Sequence, residues 1–193
     1  MSSVVISGDT SGTITVSAPA VSGSNTITLP AETGTARTTV SSGTVLQVVN
    51  TQTGAVATGT TTIPVDDTIP QNTEGDQYMS LAITPKSATS KLVIQVVVFG
   101  SGNIASAQNL TVALFQDSTA NALTAVYTQE AYQFGGATIP VTYYMTSGTT
   151  SSTTFKVRCG IGSAGTFTFN GSASARLFGG VMGSSITITE IVP

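Results

Sequence analysis

The most constraining feature of this chain is the alternation of threonine or serine with valine or isoleucine over short runs. Its 193 residues include 35 threonines and 23 serines, whereas charged residues make up only 8%. Threonine, valine and isoleucine are β-branched and fit the pleated surface of a strand better than a helix. Alternation also places the apolar residues on one side of a strand. The sequence therefore predicts an all-β fold.

Candidate strands follow one another along the chain and are separated by turns rich in glycine, asparagine and aspartate. In the larger, second part of the chain they fall at 45–50, 61–65, 78–84, 91–99, 110–116, 123–128, 138–145, 153–159, 166–170 and 185–191. Many short strands at this spacing are typical of a β-sandwich or barrel. The segment 121–132 has several helix-forming residues. We predict that it is the second arm of a hairpin, with a helix as the alternative.

Two of these strands carry clear information about burial. In 91–99 the apolar residues lie on both faces: Leu92, Ile94, Val96 and Val98 on one, and Val93, Val97 and Phe99 beside Gln95 on the other. This pattern predicts a central strand that is covered on both sides. In 153–159 one face is apolar and the other carries Lys156 and Arg158, which predicts one solvated side. Cys159, the only cysteine, lies on the apolar side and is predicted to be a buried free thiol.

The first forty residues form a segment of their own, with short strand-like runs at 4–7, 13–17 and 26–29. The last two runs are related by a shift of thirteen residues and form a short internal repeat. A ribbon of such strands buries little apolar surface and is marginal in isolation. We therefore predict an N-terminal β-ribbon at 1–40 and a β-sandwich at 44–193. The ribbon is predicted to mediate docking or trimerisation through Val4, Ile6, Ile14, Val16, Ile27 and Leu29. A flexible arm that orders only on contact is the alternative.

Several classes of chemistry are excluded by composition. The chain has no histidine, which removes Ser-His-Asp and Cys-His catalysis and the commonest zinc ligand. One cysteine cannot build a thiolate metal site, and no glycine-rich phosphate loop precedes a helix. We therefore predict a protein that is not an enzyme and that has no cofactor.

Four acidic residues, Asp66, Asp67, Glu74 and Asp76, lie within eleven residues of one another. Two alternatives to ordinary solvated turn residues are a calcium site and paired-acid glycoside hydrolysis. Their spacing matches no EF-hand loop, and aspartate in a turn commonly bonds its own backbone. Turn residues are therefore the preferred interpretation.

The sequence also limits the partners. Its six basic residues are scattered, so nucleic acid is not expected as a ligand. The longest apolar stretch, at 96–99, is far too short to span a membrane. The N-terminus has no secretory signal pattern, which predicts synthesis in a cytosol without ordinary export.

Tyrosines are the remaining candidates for function, and Tyr132, Tyr143 and Tyr144 are predicted as candidate residues for contact with a partner. Adjacent Tyr143 and Tyr144 must point to opposite faces of a strand, so one is predicted in the core and the other at the surface. An exposed tyrosine can stack on a sugar ring or anchor a protein contact. The alternative is that both rings pack within the sandwich.

Several motifs resemble those of small virion proteins of tailed bacteriophages. They are VISGDTSG at 5–12, Ala18-Pro19-Ala20, TITLPAETGT at 26–35, GTVLQVV at 43–49 and ITPKSATSKL at 83–92. Proteins of this kind are capsid decorations or tail fibres. The resemblance implies a trimer with a β-sandwich or jelly-roll body.

The expected function is therefore structural. The first hypothesis is a homotrimeric cement or decoration protein that binds the major capsid protein on the outer surface of the virion. The alternative is a tail-fibre or receptor-binding protein that recognises a host surface glycan. An enzyme such as a depolymerase has no support in the sequence.

Overall fold

The computed structural model describes residues 3–7, 13–17 and 41–193 of the chain. The chain divides into two compact units, Met1–Thr38 and Thr39–Pro193. In the first unit, strand β1 (Ser3–Ser7) pairs with the antiparallel strand β2 (Thr13–Ser17). Two of the three strands predicted for the N-terminal ribbon are thus present. The third, predicted at 26–29, lies outside the described residues.

The second unit is built from strands and, among its described residues, contains no α-helix. One turn of 3₁₀ helix occurs at Phe178–Gly180. The strands are β3 (Val45–Thr53), β4 (Ala57–Gly59), β5 (Asp76–Ile83), β6 (Lys91–Gly102), β7 (Gln108–Gln116), β8 (Thr124–Glu130), β9 (Gly136–Thr146), β10 (Thr153–Ile161), β11 (Phe167–Phe169), β12 (Gly171–Ser172), β13 (Ala175–Arg176) and β14 (Ser184–Ile191). The prediction of an all-β fold is confirmed.

Ten of these strands form two antiparallel sheets with the topology of a jelly roll, and β12 and β13 pair separately. One sheet has four strands in the order β5-β10-β7-β8. The other has six: β3, β14, β6 and β9 lie side by side, and β11 and β4 continue from the end of β6. From β5 to β11 the chain changes sheet at every connection except the hairpin of β7 and β8, in the Greek-key manner. The predicted jelly-roll sandwich is confirmed.

The core lies between the inner faces of the two sheets. Its largest fully buried side chains include Phe155, Phe167, Phe169, Leu92, Ile94, Leu110, Leu114, Ile161, Ile186 and Ile188. Full burial of each such side chain stabilises the fold by roughly 1.5–3 kcal/mol. On β10 the apolar residues Phe155, Val157 and Cys159 are buried, whereas Lys156 and Arg158 on the opposite face are half-buried. The predicted two-sided character of this strand is confirmed.

The segment 121–132 is the second arm of a hairpin, as predicted, and the helical alternative is wrong. Strand β8 pairs with β7 over seven residues, from Gln108 opposite Glu130 to Leu114 opposite Thr124. The turn between them begins at Asp117, whose φ of 51° lies in the left-handed region. Aspartate tolerates this conformation better than most residues, so local turn chemistry favours the hairpin.

The predicted strand at 61–65 is wrong, because this segment joins neither sheet. It is part of a connection that crosses the outer side of the four-stranded sheet, where Ile63 is fully buried against Ala113 and Phe115. The Ile63 amide donates to the carbonyl of Ile161 (3.1 Å), but Pro64 has no amide proton with which to continue a ladder. The strand-like composition here serves to cover a sheet.

The end of this connection is held by Arg158 on β10. Its Nε donates to the carbonyl of Glu74 (2.8 Å) and its Nη2 donates to the carbonyl of Gly75 (2.6 Å). Gly75 has a φ of 61°, and a Cβ atom there would lie 2.7 Å from Ile63. Glycine is therefore required at this point for two independent reasons.

Candidate functional site

The acidic residues at 66–76 stabilise turns. Asp66 accepts hydrogen bonds from the amide (2.9 Å) and hydroxyl (2.5 Å) of Thr68. Asp76 accepts from the amide (3.0 Å) and hydroxyl (2.9 Å) of Thr61, and Glu74 accepts from the amide of residue 71 (2.9 Å). Within residues 41–193, where side chains are described, no three Cys, Asp or Glu side chains are grouped so that they could hold a metal ion.

A fully buried carboxylate, that of Glu190, lies near the end of β14. It accepts hydrogen bonds from the side chains of Gln47 (2.5 Å) and Ser90 (2.6 Å) and from the amides of Lys86 (2.8 Å) and Ser87 (3.3 Å). Burial alone would raise the pKa of Glu190. The hydrogen bonds from Ser90, Gln47, Lys86 and Ser87 outweigh it and hold the pKa below its ordinary value.

The hydrogen bonds of this carboxylate give the motif at 83–92 a structural role. The motif forms the turn between β5 and β6, and Glu190 ties that turn to β14 and, through Gln47, to β3. Ser147 adds a further tie, because its hydroxyl donates to the carbonyl of Ser87 (2.6 Å). Since four donors saturate the carboxylate, its role is structural.

Two further titratable side chains inside the sandwich, those of Cys159 and Tyr78, have pKa values that do not suit catalysis. Burial raises the pKa of the Cys159 thiol, and a thiol that stays protonated is a poor nucleophile. The prediction that Cys159 is a buried free thiol is confirmed. Burial likewise raises the pKa of Tyr78, whose ring stacks on Phe169 with centroids 4.9 Å apart.

The outer side of the six-stranded sheet is a second candidate surface, with exposed residues on β3, β6 and β9. We call it the open face and define it by the outward positions of β3, β14, β6 and β9. Because Leu92, Ile94, Val96 and Val98 face the core, the odd-numbered residues of β6 belong to this face. Within these described strands Lys91 is the one charged residue on the face, and its ammonium donates to the hydroxyl of Thr146 (2.7 Å).

Strand register arranges the open face in rows that cross four strands. One row runs from Val48 through Thr189 and Val93 to Tyr144. The next contains Asn50, Thr187, Gln95 and Thr142, and the third contains Gln52, Ser185, Val97 and Pro140. These three rows thus consist entirely of apolar and neutral polar side chains. Depletion of charge is a property of the central part of protein interfaces.

The open face corrects one sequence prediction. Strand β6 is central, as predicted, since it pairs with β14 on one edge and β9 on the other. The prediction that it is covered on both sides is wrong for the single chain, because Val97 is 39% exposed and Gln95 is exposed as well. The sequence has the pattern of a strand buried on both sides, and this chain covers only one of them.

The predicted docking residues fall on the N-terminal hairpin. Val4 lies opposite Val16 and Ile6 lies opposite Ile14 in the register of β1 and β2. The hairpin therefore brings the backbone positions of these four residues together in two adjacent pairs. Ile27 and Leu29 lie outside the described residues. Docking by this segment stays a prediction.

The predicted tyrosines lie at different places. Tyr144 is 60% exposed on the open face, whereas Tyr143 is half-buried and packs against the core. Tyr132 lies in the connection between β8 and β9 and is 77% exposed. Tyr132 and Tyr144 thus offer surface to a partner, and Tyr143 offers little. Contact with a host stays a prediction for all three.

Three further aromatic residues, outside the predicted contact residues, are also exposed. Tyr127 stands on the outer side of β8, and Phe134 and Phe178 occupy connections where their backbones have positive φ angles of 62° and 46°. Bulky residues rarely adopt this conformation. The alternation of β8 could have placed Tyr127 outward, but no local signal marks the two phenylalanines.

The fold and its surfaces define a jelly-roll β-sandwich with a broad face on which Lys91 is the one charged residue of the described strands. No protein-family model and no curated protein matches the sequence. Among solved structures, the chain is similar to one of infectious bursal disease virus, Gx strain, at 12% identity and a TM-score of 0.35, over 97% of this chain and 48% of that one. It is also similar to the VP2 subviral particle of infectious bursal disease virus, at 13% identity and a TM-score of 0.29, over 94% and 46%. It thus spans less than half the length of these viral chains.

Across the described ranges, the structure contains no helix that is both long and apolar enough to cross a bilayer.

Proposed function

We propose that this chain is a non-enzymatic structural protein of a virion and that it assembles through its open face with further copies of itself. The observation that carries the proposal is β6, which has apolar side chains on both faces but is covered on only one. A face with only one charged residue is expected to bind a partner surface that is also poor in charge. This chain, with 8% charged residues, is such a partner.

More specifically, we infer a homotrimeric decoration protein on the outer capsid surface of a tailed bacteriophage. The motifs at 5–12, 26–35 and 83–92 support this assignment through their resemblance to such proteins. In this proposal the N-terminal hairpin docks on the major capsid protein through Val4, Ile6, Ile14 and Val16, together with Ile27 and Leu29. The jelly roll then projects outward.

Reinforcement of the shell follows from binding thermodynamics. A protein that binds only the assembled shell stabilises it by RT ln(1 + [L]/Kd), about 2.7 kcal/mol per site at a free concentration one hundred times Kd. No catalytic group is needed for this effect. The low charge of the chain also lets many copies sit close together with little electrostatic repulsion.

Removal of the protein from the shell tests this role. Virions produced by a mutant that lacks the gene for this protein should release their genome at a lower temperature than complete virions. Addition of the full-length protein should raise that temperature to the value for complete virions. Genome release is followed by the fluorescence of a DNA-binding dye during heating, with albumin as the added control. Equal release temperatures for the two kinds of virion would contradict a cement function.

A second candidate function is favoured by the exposed aromatic residues on the connections between strands. Tyr132 and Phe178 are 77% and 74% exposed, and the hydroxyl of Ser172 on β12 anchors the connection of Tyr132 by donating to the carbonyl of Phe134 (3.0 Å). Exposed aromatic residues are enriched at binding sites. These connections would suit a tail-fibre protein that contacts a host surface glycan.

A further inference from the structure

A groove runs between the connection at 64–70 and the outer side of β8. Its first part is a cavity of about 230 Å³ whose lining includes Pro64, Val65, Asp66, Pro70, Thr111 and Tyr127. A second cavity of about 340 Å³ adjoins it and shares Thr68, Pro70 and Ala125. The two cavities form one elongated depression, which we call the tyrosine groove.

The walls of the tyrosine groove are fixed to the sheet at both ends. The Ile63 amide donates to the carbonyl of Ile161 (3.1 Å) just before the groove, and the Ala122 amide donates to the carbonyl of Pro70 (2.9 Å) at its far end. Between them Asp66 and Thr68 close a hydrogen-bonded turn. Because the wall is anchored twice, the groove exists without a ligand, as most small-molecule sites do.

Two polar side chains are available to a ligand in this groove. Tyr127 is 58% exposed and stands directly opposite Thr111 in the register of β7 and β8. One oxygen of Asp66, Oδ2, accepts no hydrogen bond from the described residues, since Thr68 engages only Oδ1. Thr111 lines the first cavity, but its hydroxyl oxygen is buried and offers no accessible surface to a ligand.

The chemistry of this lining identifies a class of ligand. An exposed aromatic ring offers a flat surface to the C–H face of a pyranose, and a carboxylate accepts hydrogen bonds from its hydroxyl groups. The lining contains no lysine or arginine that would recognise a phosphate. We propose that the tyrosine groove binds a neutral sugar ring of a carbohydrate chain, with the ring on Tyr127 and its hydroxyls directed to Asp66. The adjoining cavity would take the next sugar.

This inference goes beyond the decoration function and does not depend on it. The tyrosine groove lies on the outer side of the four-stranded sheet, whereas the open face belongs to the six-stranded sheet on the other side of the sandwich. Assembly and sugar binding therefore use different surfaces, and each can fail while the other holds.

Saturation-transfer NMR on the full chain tests the proposal. The probes are the methyl glycosides of glucose, galactose, mannose and N-acetylglucosamine, each at millimolar concentration. At least one should receive saturation from the protein, and Tyr127→Ala and Asp66→Asn should each reduce its signal at least about fivefold. Tyr144→Ala, on the open face, is the matched control and should leave the signal unchanged. Circular dichroism verifies that all variants are folded.

Two results would overturn the proposal. The first is the absence of saturation transfer to all four glycosides. The second is a signal that survives both Tyr127→Ala and Asp66→Asn, because a sugar would then bind elsewhere. A signal lost in Tyr144→Ala but retained in Tyr127→Ala would move carbohydrate binding to the open face and would equally contradict this assignment.

Discussion

Replacement of Glu190 by glutamine is expected to lower the free energy of unfolding at pH 7 by about 2–3 kcal/mol. The variant keeps the size of the side chain, but its amide group would oppose donors that now point at a carboxylate. The turn between β5 and β6 would lose its tie to β14. Urea denaturation followed by circular dichroism measures the loss. Glu130→Gln, which removes the same charge from half-buried β8, is the control and should change stability by less than about 0.5 kcal/mol.

The loss should depend on pH in a defined direction. Because folding lowers the pKa of Glu190 below its ordinary value of 4.5, the carboxylate contributes its full stabilisation above about pH 4.5. That contribution disappears as the pH falls through the pKa of the folded state. Wild type and Glu190→Gln should therefore converge in stability toward pH 3. An equal difference at pH 7 and pH 3 would refute the role of the charge.

A charge placed on the open face should disrupt assembly. In Val97→Lys an ammonium replaces a 39%-exposed valine in the central strand of the face, and covering it without a partner costs on the order of 3 kcal/mol. The association constant between copies should fall by about 100-fold. Sedimentation velocity over a range of concentrations should show trimers for the wild type and smaller species for the variant.

The control for this variant carries the same charge on the other sheet. Gln129 is exposed on the outer side of β8, so Gln129→Lys alters net charge and strand composition in the same way. It should assemble like the wild type. If Val97→Lys also forms trimers at wild-type concentrations, the open face is not the contact between copies.

Much of the sandwich could be predicted because its signals are local. Strands β6 and β10 alternate strongly enough to identify their inner faces, and Asp117 marks the hairpin turn that precedes β8. The connection at 61–65 was predicted wrongly because Ile63 and Val65 alternate with threonine and proline as they would in a strand. Alternation of apolar residues indicates that one side of a segment is buried. It does not show whether the segment is hydrogen-bonded as a strand within a sheet or lies on the surface of one.

The remaining features depend on residues far apart in the sequence. Glu190 receives donors from residues 100 to 143 positions away, so no local pattern announces its role. The tyrosine groove is lined by both Asp66 and Tyr127. Asp66 lies on the connection that includes 61–65, the segment that the sequence predicted as a strand. The open face was visible in the sequence as the second apolar side of β6, but only the fold shows that this chain leaves it uncovered.

The number of copies per virion tests the central claim most directly. Purified virions that contain this chain would be dissolved and their proteins quantified by gel densitometry against the major capsid protein. A decoration protein spread over the shell predicts a copy number comparable to that of the major capsid protein. A small fraction of that number would contradict the proposal and would place the chain in a tail or fibre.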